Sequence, residues 1–208
     1  MMNRRHLLAG LCAGLAALAG LPVPSATAAT ALSLDDISAY LNGLIHAKAK
    51  IVQVNPDGSV RSGTVYIRRP GRMRLEYDGR RADLVIAGGG QIAIFMAGAR
   101  RAQQYPLMAS PLGQFLKSEI DLAAEATVLA MVQQEDWTEV VVQDPKRPRL
   151  GTLALRFASD PTRIVGWTVT DAYGRRTQVL VSELETGTVH AGHLFSIPAE
   201  LDRRAEGR

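Results

Sequence analysis

The chain has 208 residues, 24 basic and 20 acidic side chains, a single cysteine and only 5% aromatic residues. That length suits one ordinary domain able to bury a core without staples. One cysteine excludes an intramolecular disulfide framework, and the charge is too evenly mixed for a nucleic-acid-binding surface.

Arg4 and Arg5 open the chain, and Leu7 to Leu21 is almost wholly Leu, Ala and Gly. A small-residue stretch containing Ala26-Thr27-Ala28 follows. Charged start, apolar run and small-residue site are the order of a cleavable export signal. The run is shorter than the roughly 20 residues a membrane-spanning helix needs. Residues 1–28 are therefore expected to be removed, within one residue either way, leaving a single domain over 29–208. The Arg-Arg-His-Leu-Leu stretch suits the twin-arginine route as well as the general one. Cys12 follows Leu11 rather than a small residue, so no acylated product is expected, and it leaves with the signal. Losing Arg4 and Arg5 leaves 22 basic against 20 acidic residues, which removes most of the basic excess.

Ser33 can cap a first helix, with Asp35 and Asp36 in its first turn and Leu34, Ile37, Leu41, Leu44 and Ile45 at helical spacing. The period then changes to two. Lys48 to Val54 reads as a strand, Asn55-Pro56-Asp57-Gly58 as a turn and Val60 to Arg69 as a second strand. Past Pro70-Gly71, Met73, Leu75 and Tyr77 alternate with Arg72, Arg74 and Glu76, giving one apolar and one wet face. Asp83–Ala87 and Gln91–Met96 form the next hairpin about Gly88-Gly89-Gly90. Ser110-Pro111 then starts a short amphipathic helix carrying Leu112, Phe115 and Leu116. Strands resume at 127–133, 138–143, 151–157, 164–171 and 175–184; the Ala-Leu-Met composition of 127–133 suits a helix equally well. About ten strands and two or three helices predict an α+β, mainly β domain. Its form is an incomplete antiparallel barrel or strongly curved sheet, its concave face covered by helices over a hydrophobic cavity.

No catalytic constellation stands out. His46 is expected at the end of the first helix, and His190 and His193 lie in a Gly/Thr-rich loop with only Glu183 or Glu185 as a possible third ligand. Gly-x-Ser-x-Gly is absent. The glycine triplet joins strand to strand, so no helix N-terminus faces it to hold an anion. No enzyme, metal or cofactor is expected. Arg69 is harder to place as a bland surface residue. Counted by twos it shares the apolar face of Val65 and Ile67, whereas Arg68 is free to reach water.

Gly63 to Tyr77 reads Gly-Thr-Val-Tyr-Ile-Arg-Arg-Pro-Gly-Arg-Met-Arg-Leu-Glu-Tyr. This resembles the signature of the periplasmic outer-membrane lipoprotein carrier family. The likeness continues in order through Leu84–Ala87, Gln104–Leu107, Ser110-Pro111-Leu112, Asp144-Pro145-Lys146, Gly166–Asp171 and Leu194–Pro198. The resemblance implies a periplasmic monomer whose cavity shields the acyl chains of lipoproteins. Cargo would arrive from an inner-membrane ATP-driven release complex and pass to an outer-membrane acceptor, where one exists. It gives Arg69 the role of closing the lid on the empty form. It places Val65, Ile67, Met73, Leu75, Tyr77, Val85, Ile92 and Ile94 against the acyl chains, and Leu41, Leu44, Leu112, Phe115 and Leu116 on the lid. Valine at 85 stands where leucine is typical, and Met73–Tyr77 lacks the Trp or Phe of some relatives. Two other readings remain: a lipid or lipoprotein sensor on the same fold, and a periplasmic hydrolase, for which no base is evident.

Overall fold

The structure, a computed structural model, describes residues 32–80, 82–125 and 127–207. The expected export signal, residues 1–28, lies outside the described residues. Among the described residues no helix is long and apolar enough to cross a membrane.

Helix α1 (Leu34–Gly43) begins where its sequence says it should. Ser33 accepts from the Asp36 N–H, and Asp36 returns the bond to the Ser33 N–H, a closed capping box. Ile37 and Leu41 are buried on its inner side. The first meander is β1 (His46–Val54), β2 (Val60–Arg68), β3 (Arg72–Tyr77), β4 (Leu84–Gly88), β5 (Gln91–Phe95) and β6 (Gln103–Pro106). The second is β7 (Thr127–Gln133), β8 (Trp137–Gln143), β9 (Thr152–Ser159), β10 (Thr162–Thr170) and β11 (Arg176–Thr186). Every neighbouring pair is antiparallel, and pairing of β1 with β11 joins the meanders into one sheet ordered β6-β5-β4-β3-β2-β1-β11-β10-β9-β8-β7.

This order places β6 and β7, consecutive in the chain, at opposite edges of the sheet. In a flat sheet they would stand roughly 48 Å apart. The sheet instead curves, helped by bulges between Lys48 and Lys50, Val128 and Ala130, and Ile164 and Gly166. At the first of these bulges Glu183 adopts φ 48°, the residue left over opposite β1. The sheet does not close on itself. The chain between its edges must cross the hollow, and it does so as a 3-10 turn (Leu107–Ala109) and the short helices α2 (Leu112–Phe115) and α3 (Leu122–Glu125).

Residues 127–133 form a strand, as expected, despite their helix-compatible composition. Three features depart from the sequence expectation. β6 is an additional strand whose exposed Gln-Gln-Tyr-Pro carries no alternation to reveal it. His46 does not end the first helix but starts β1. Beyond β11 a 3-10 turn (Gly192–Phe195) leads into α4 (Ile197–Ala205), which lies on the convex face of β4. There Leu84, Ile86, Ala93, Phe95 and Ile197 form a second, smaller core. Gly88 allows this approach, since a Cβ there would stand 2.2 Å from the Phe195 carbonyl oxygen.

Candidate functional site: the covered concave face

The concave face is apolar by strand alternation. Val65, Ile67, Met73, Leu75 and Ile92 are buried in the main core, and Tyr77, Val85 and Ile94 pack against it. Facing them are Leu41, Leu44, Phe115 and Leu116, all buried, with Leu112 half-buried. The hollow is filled by these contacts. A cavity of about 30 Å³ remains beneath the crossover, against Leu41, Phe115, Leu122, Leu153 and Leu155. That is room for about one or two waters, so the expected cavity is closed in this state.

The covering elements are first tied to each other. The Asn42 side chain donates to the Ile120 carbonyl and accepts from the Ile120 N–H, both at 2.9 Å. The Ser38 hydroxyl accepts from the Leu122 N–H at 3.1 Å and donates to Leu34 one turn back. These bonds join α1 and the segment 117–122 into one plate over the sheet.

Arg69 ties that plate to the sheet. The residue is only 2% exposed, directly after β2 on the face of Val65 and Ile67. Its guanidinium donates to the Leu41 carbonyl, and to the Lys117 carbonyl from Nε at 3.0 Å and Nη2 at 2.7 Å. Nη2 also reaches Asn42 Oδ1 at 3.5 Å. Leu41 is in the last turn of α1, where its carbonyl accepts the Leu44 N–H at 3.2 Å, retains capacity for a second donor, and the helix dipole favours a cation. Burial pulls the Arg69 pKa down from the ordinary arginine value. The neighbouring Gly71 N–H donates to the Leu116 carbonyl at 2.8 Å. Arg68 points away and donates to the His190 carbonyl at 3.1 Å.

A second fastening lies at the far side of the crossover. Asp144, nearly buried after β8, accepts from Gln114 Nε2 at 2.7 Å, from the Lys146 N–H at 2.8 Å and from Arg147 at 3.1 Å. Arg147 in turn donates to the Met108 carbonyl. Burial alone would raise the Asp144 pKa, but these donors hold it below the usual carboxylate value. Sequence reading missed this fastening, together with Asn42 and Ser38. Asp144-Pro145-Lys146 was legible as a turn, but nothing in the sequence aims its carboxylate at residue 114.

The histidines do not converge. His190 meets the Tyr66 ring edge-on at 5.1 Å, and His46 sits opposite Arg68 on β2. No group of three or more His, Cys, Asp or Glu side chains able to hold a metal occurs among the described residues.

A family model described as outer membrane lipoprotein carrier protein LolA matches residues 43–198. Among solved structures, a DUF1329 family protein from Desulfovibrio piger superposes with a TM-score of 0.50 at 10% identity, over 80% of this chain and 95% of that one. An uncharacterized conserved protein from Thermus thermophilus gives a TM-score of 0.47 at 10% identity, covering 79% and 92%. A LolA superfamily protein from Nitrosomonas europaea gives 0.42 at 9% identity, covering 80% and 99%. The chain matches no curated protein sequence.

Proposed function

The chain belongs to the LolA family of outer membrane lipoprotein carrier proteins, and we propose that it is a periplasmic carrier that shields the acyl chains of lipoproteins between inner and outer membrane, with no catalytic step. The observation that carries this reading is Arg69, a buried cation holding the two covering segments over an otherwise apolar face.

Transfer of acyl chains to water costs about 0.8 kcal/mol per methylene, so a multiply acylated anchor needs cover to cross an aqueous space. The closed form has no room for such chains, and loading must lift the plate off the sheet. Arg69 sets the cost of doing so. Its hydrogen bonds to carbonyls stabilise closure, while the desolvation of its charge offsets much of that gain. The closed and open forms therefore lie near enough in energy for cargo to choose between them. A carrier needs that balance, because chains buried in a permanently open hollow would not be released.

The test is a release assay. Protein purified from the periplasm is added to inner-membrane vesicles bearing the ATP-driven release complex, and the supernatant is probed for lipoprotein. ATP-dependent appearance of a one-to-one soluble complex is expected. Lipoproteins that remain on the membrane, despite measurable lipid binding by the protein, would overturn transport and leave the sensor reading in its place.

A further inference from the structure

Three Arg-Arg-Ala segments occur in the chain, at 80–82, 100–102 and 203–205. The first lies between β3 and β4, the second between β5 and β6, and the third ends α4. Antiparallel order puts the first two loops at the same end of neighbouring hairpins, opposite the end that holds Arg69 and the Gly88–Gly90 turn. Helix α4 runs across the outer face of β4 and delivers the third segment to that same end. Arg204 Nη1 donates to the Ala99 carbonyl at 2.8 Å, and its guanidinium lies 4.6 Å from the centre of the Phe95 ring. An open pocket of about 510 Å³ results, lined by Ala82, Gly98, Ala99, Gly207 and the arginines 100, 203 and 204.

No carboxylate lines this pocket. Acidic side chains nearby are engaged elsewhere: Asp83 with Arg61, and Asp78 with the Ser62 hydroxyl. Glu200 pairs with Arg203, Arg204 and, at 3.8 Å, Arg74, one carboxylate against three guanidinium groups. Asp202 on α4 and Glu206 at its C-cap are outside the lining. Arg80, Arg100 and Arg101 are exposed. The lining offers neither an aromatic nor a large aliphatic side chain, which a protein partner would be expected to use as an anchor. It offers guanidinium groups, which suit phosphate oxygens through paired N–H donors.

We propose that this arginine-lined end of the sheet is a docking surface for anionic membrane, recognising phosphodiester headgroups. Its biological use rests on the carrier reading above. It would hold the molecule by the end remote from Arg69, leaving the covering plate free to move during transfer.

The experiment is flotation of the periplasmically purified protein with cargo-free vesicles. One set is phosphatidylcholine alone, the other carries roughly one third phosphatidylglycerol. Binding to the second set only is expected, and it should fall steeply between about 50 mM and about 500 mM NaCl as charges are screened. The R80A/R100A/R101A triple variant, which spares Arg203, Arg204 and their bonds to Glu200, should bind anionic vesicles about a hundredfold more weakly, at roughly fivefold per basic residue. Equal binding to both vesicle types, or an unchanged triple variant, would overturn the proposal. Abolition of binding by inorganic phosphate at matched ionic strength would also overturn it, pointing to a pocket for a free anion. Neither exporter nor cargo is present in this assay, so its failure leaves the release assay, and the carrier reading with it, untouched.

Discussion

At Arg69 two opposing effects meet in one side chain. Hydrogen bonds from a guanidinium to carbonyls contribute about 1.5–3 kcal/mol each, whereas removing the charge from water costs several kcal/mol. On the proposed carrier reading the residue therefore serves to select between states more than to add net stability. In R69L the Leu41 and Lys117 carbonyls lose the donor they share, and with it the closed form loses its tie from the end of β2 to the covering plate. The Leu44 N–H still reaches the Leu41 carbonyl at 3.2 Å. The variant is expected to fold, and to copurify with at least several times more lipid than wild type, measured by mass spectrometry of solvent extracts. Equal lipid content in the two proteins would remove Arg69 from the gate. From sequence, strand alternation placed Arg69 on the apolar side with Val65 and Ile67. It could not name the carbonyls that receive it, because they lie 28 and 48 residues away along the chain.

At the scale of elements, α4 is attached through a cluster of ion pairs about one carboxylate. Its Glu200 is buried against β3 and β4 and pairs with Arg203 and Arg204. Burial pushes the Glu200 pKa up, but the bonds from Arg203 and Arg204 and the charge of Arg74 outweigh it and hold the carboxyl below the ordinary glutamate value. A depressed folded-state pKa stabilises the fold above the unfolded value, roughly 4.3, and that contribution is lost as the pH falls below it. E200Q should therefore lower stability by about 1–3 kcal/mol at neutral pH, with the gap to wild type closing in acid. Thermal melts across the acid range test this; a gap that persists at low pH would show that charge is not the origin. Sequence reading passed over α4 because it carries only one short apolar stripe, Ile197 and Leu201. The strand face it covers, Leu84, Ile86, Ala93 and Phe95, was apolar in the sequence without any sign of which element would cover it.

Over the whole molecule, the two meanders are joined by the β1–β11 ladder, by a common apolar core and by the segment that crosses the hollow. On the carrier reading, opening would lift that segment and leave the ladders of the sheet intact. The plate of α1 and 117–122 is bonded within itself through Asn42 and Ser38, and should leave as a unit once Arg69 and the Asp144 fastening let go. Hydrogen exchange of the R69L variant is expected to speed up in 34–43 and 107–125, with β1, β2 and β9–β11 still protected. Uniformly faster exchange across the sheet would mean global destabilisation instead of lid opening.

Local chemistry determined much of this protein. Ser33 with Asp36 fixed the start of α1, Asn55–Gly58 and Gly88–Gly90 fixed two hairpins, and period-two alternation fixed which residues face the hollow. Each depends on contacts within a few positions, which sequence records directly. Tertiary structure alone decided that β1 pairs with β11, that the hollow is filled in the closed state, and that Asp144 holds Gln114. It also brought Arg80, Arg100, Arg101, Arg203 and Arg204 to one end of the sheet. These depend on how far the sheet curves and where a chain that must join its two edges can cross, and curvature accumulates over all eleven strands.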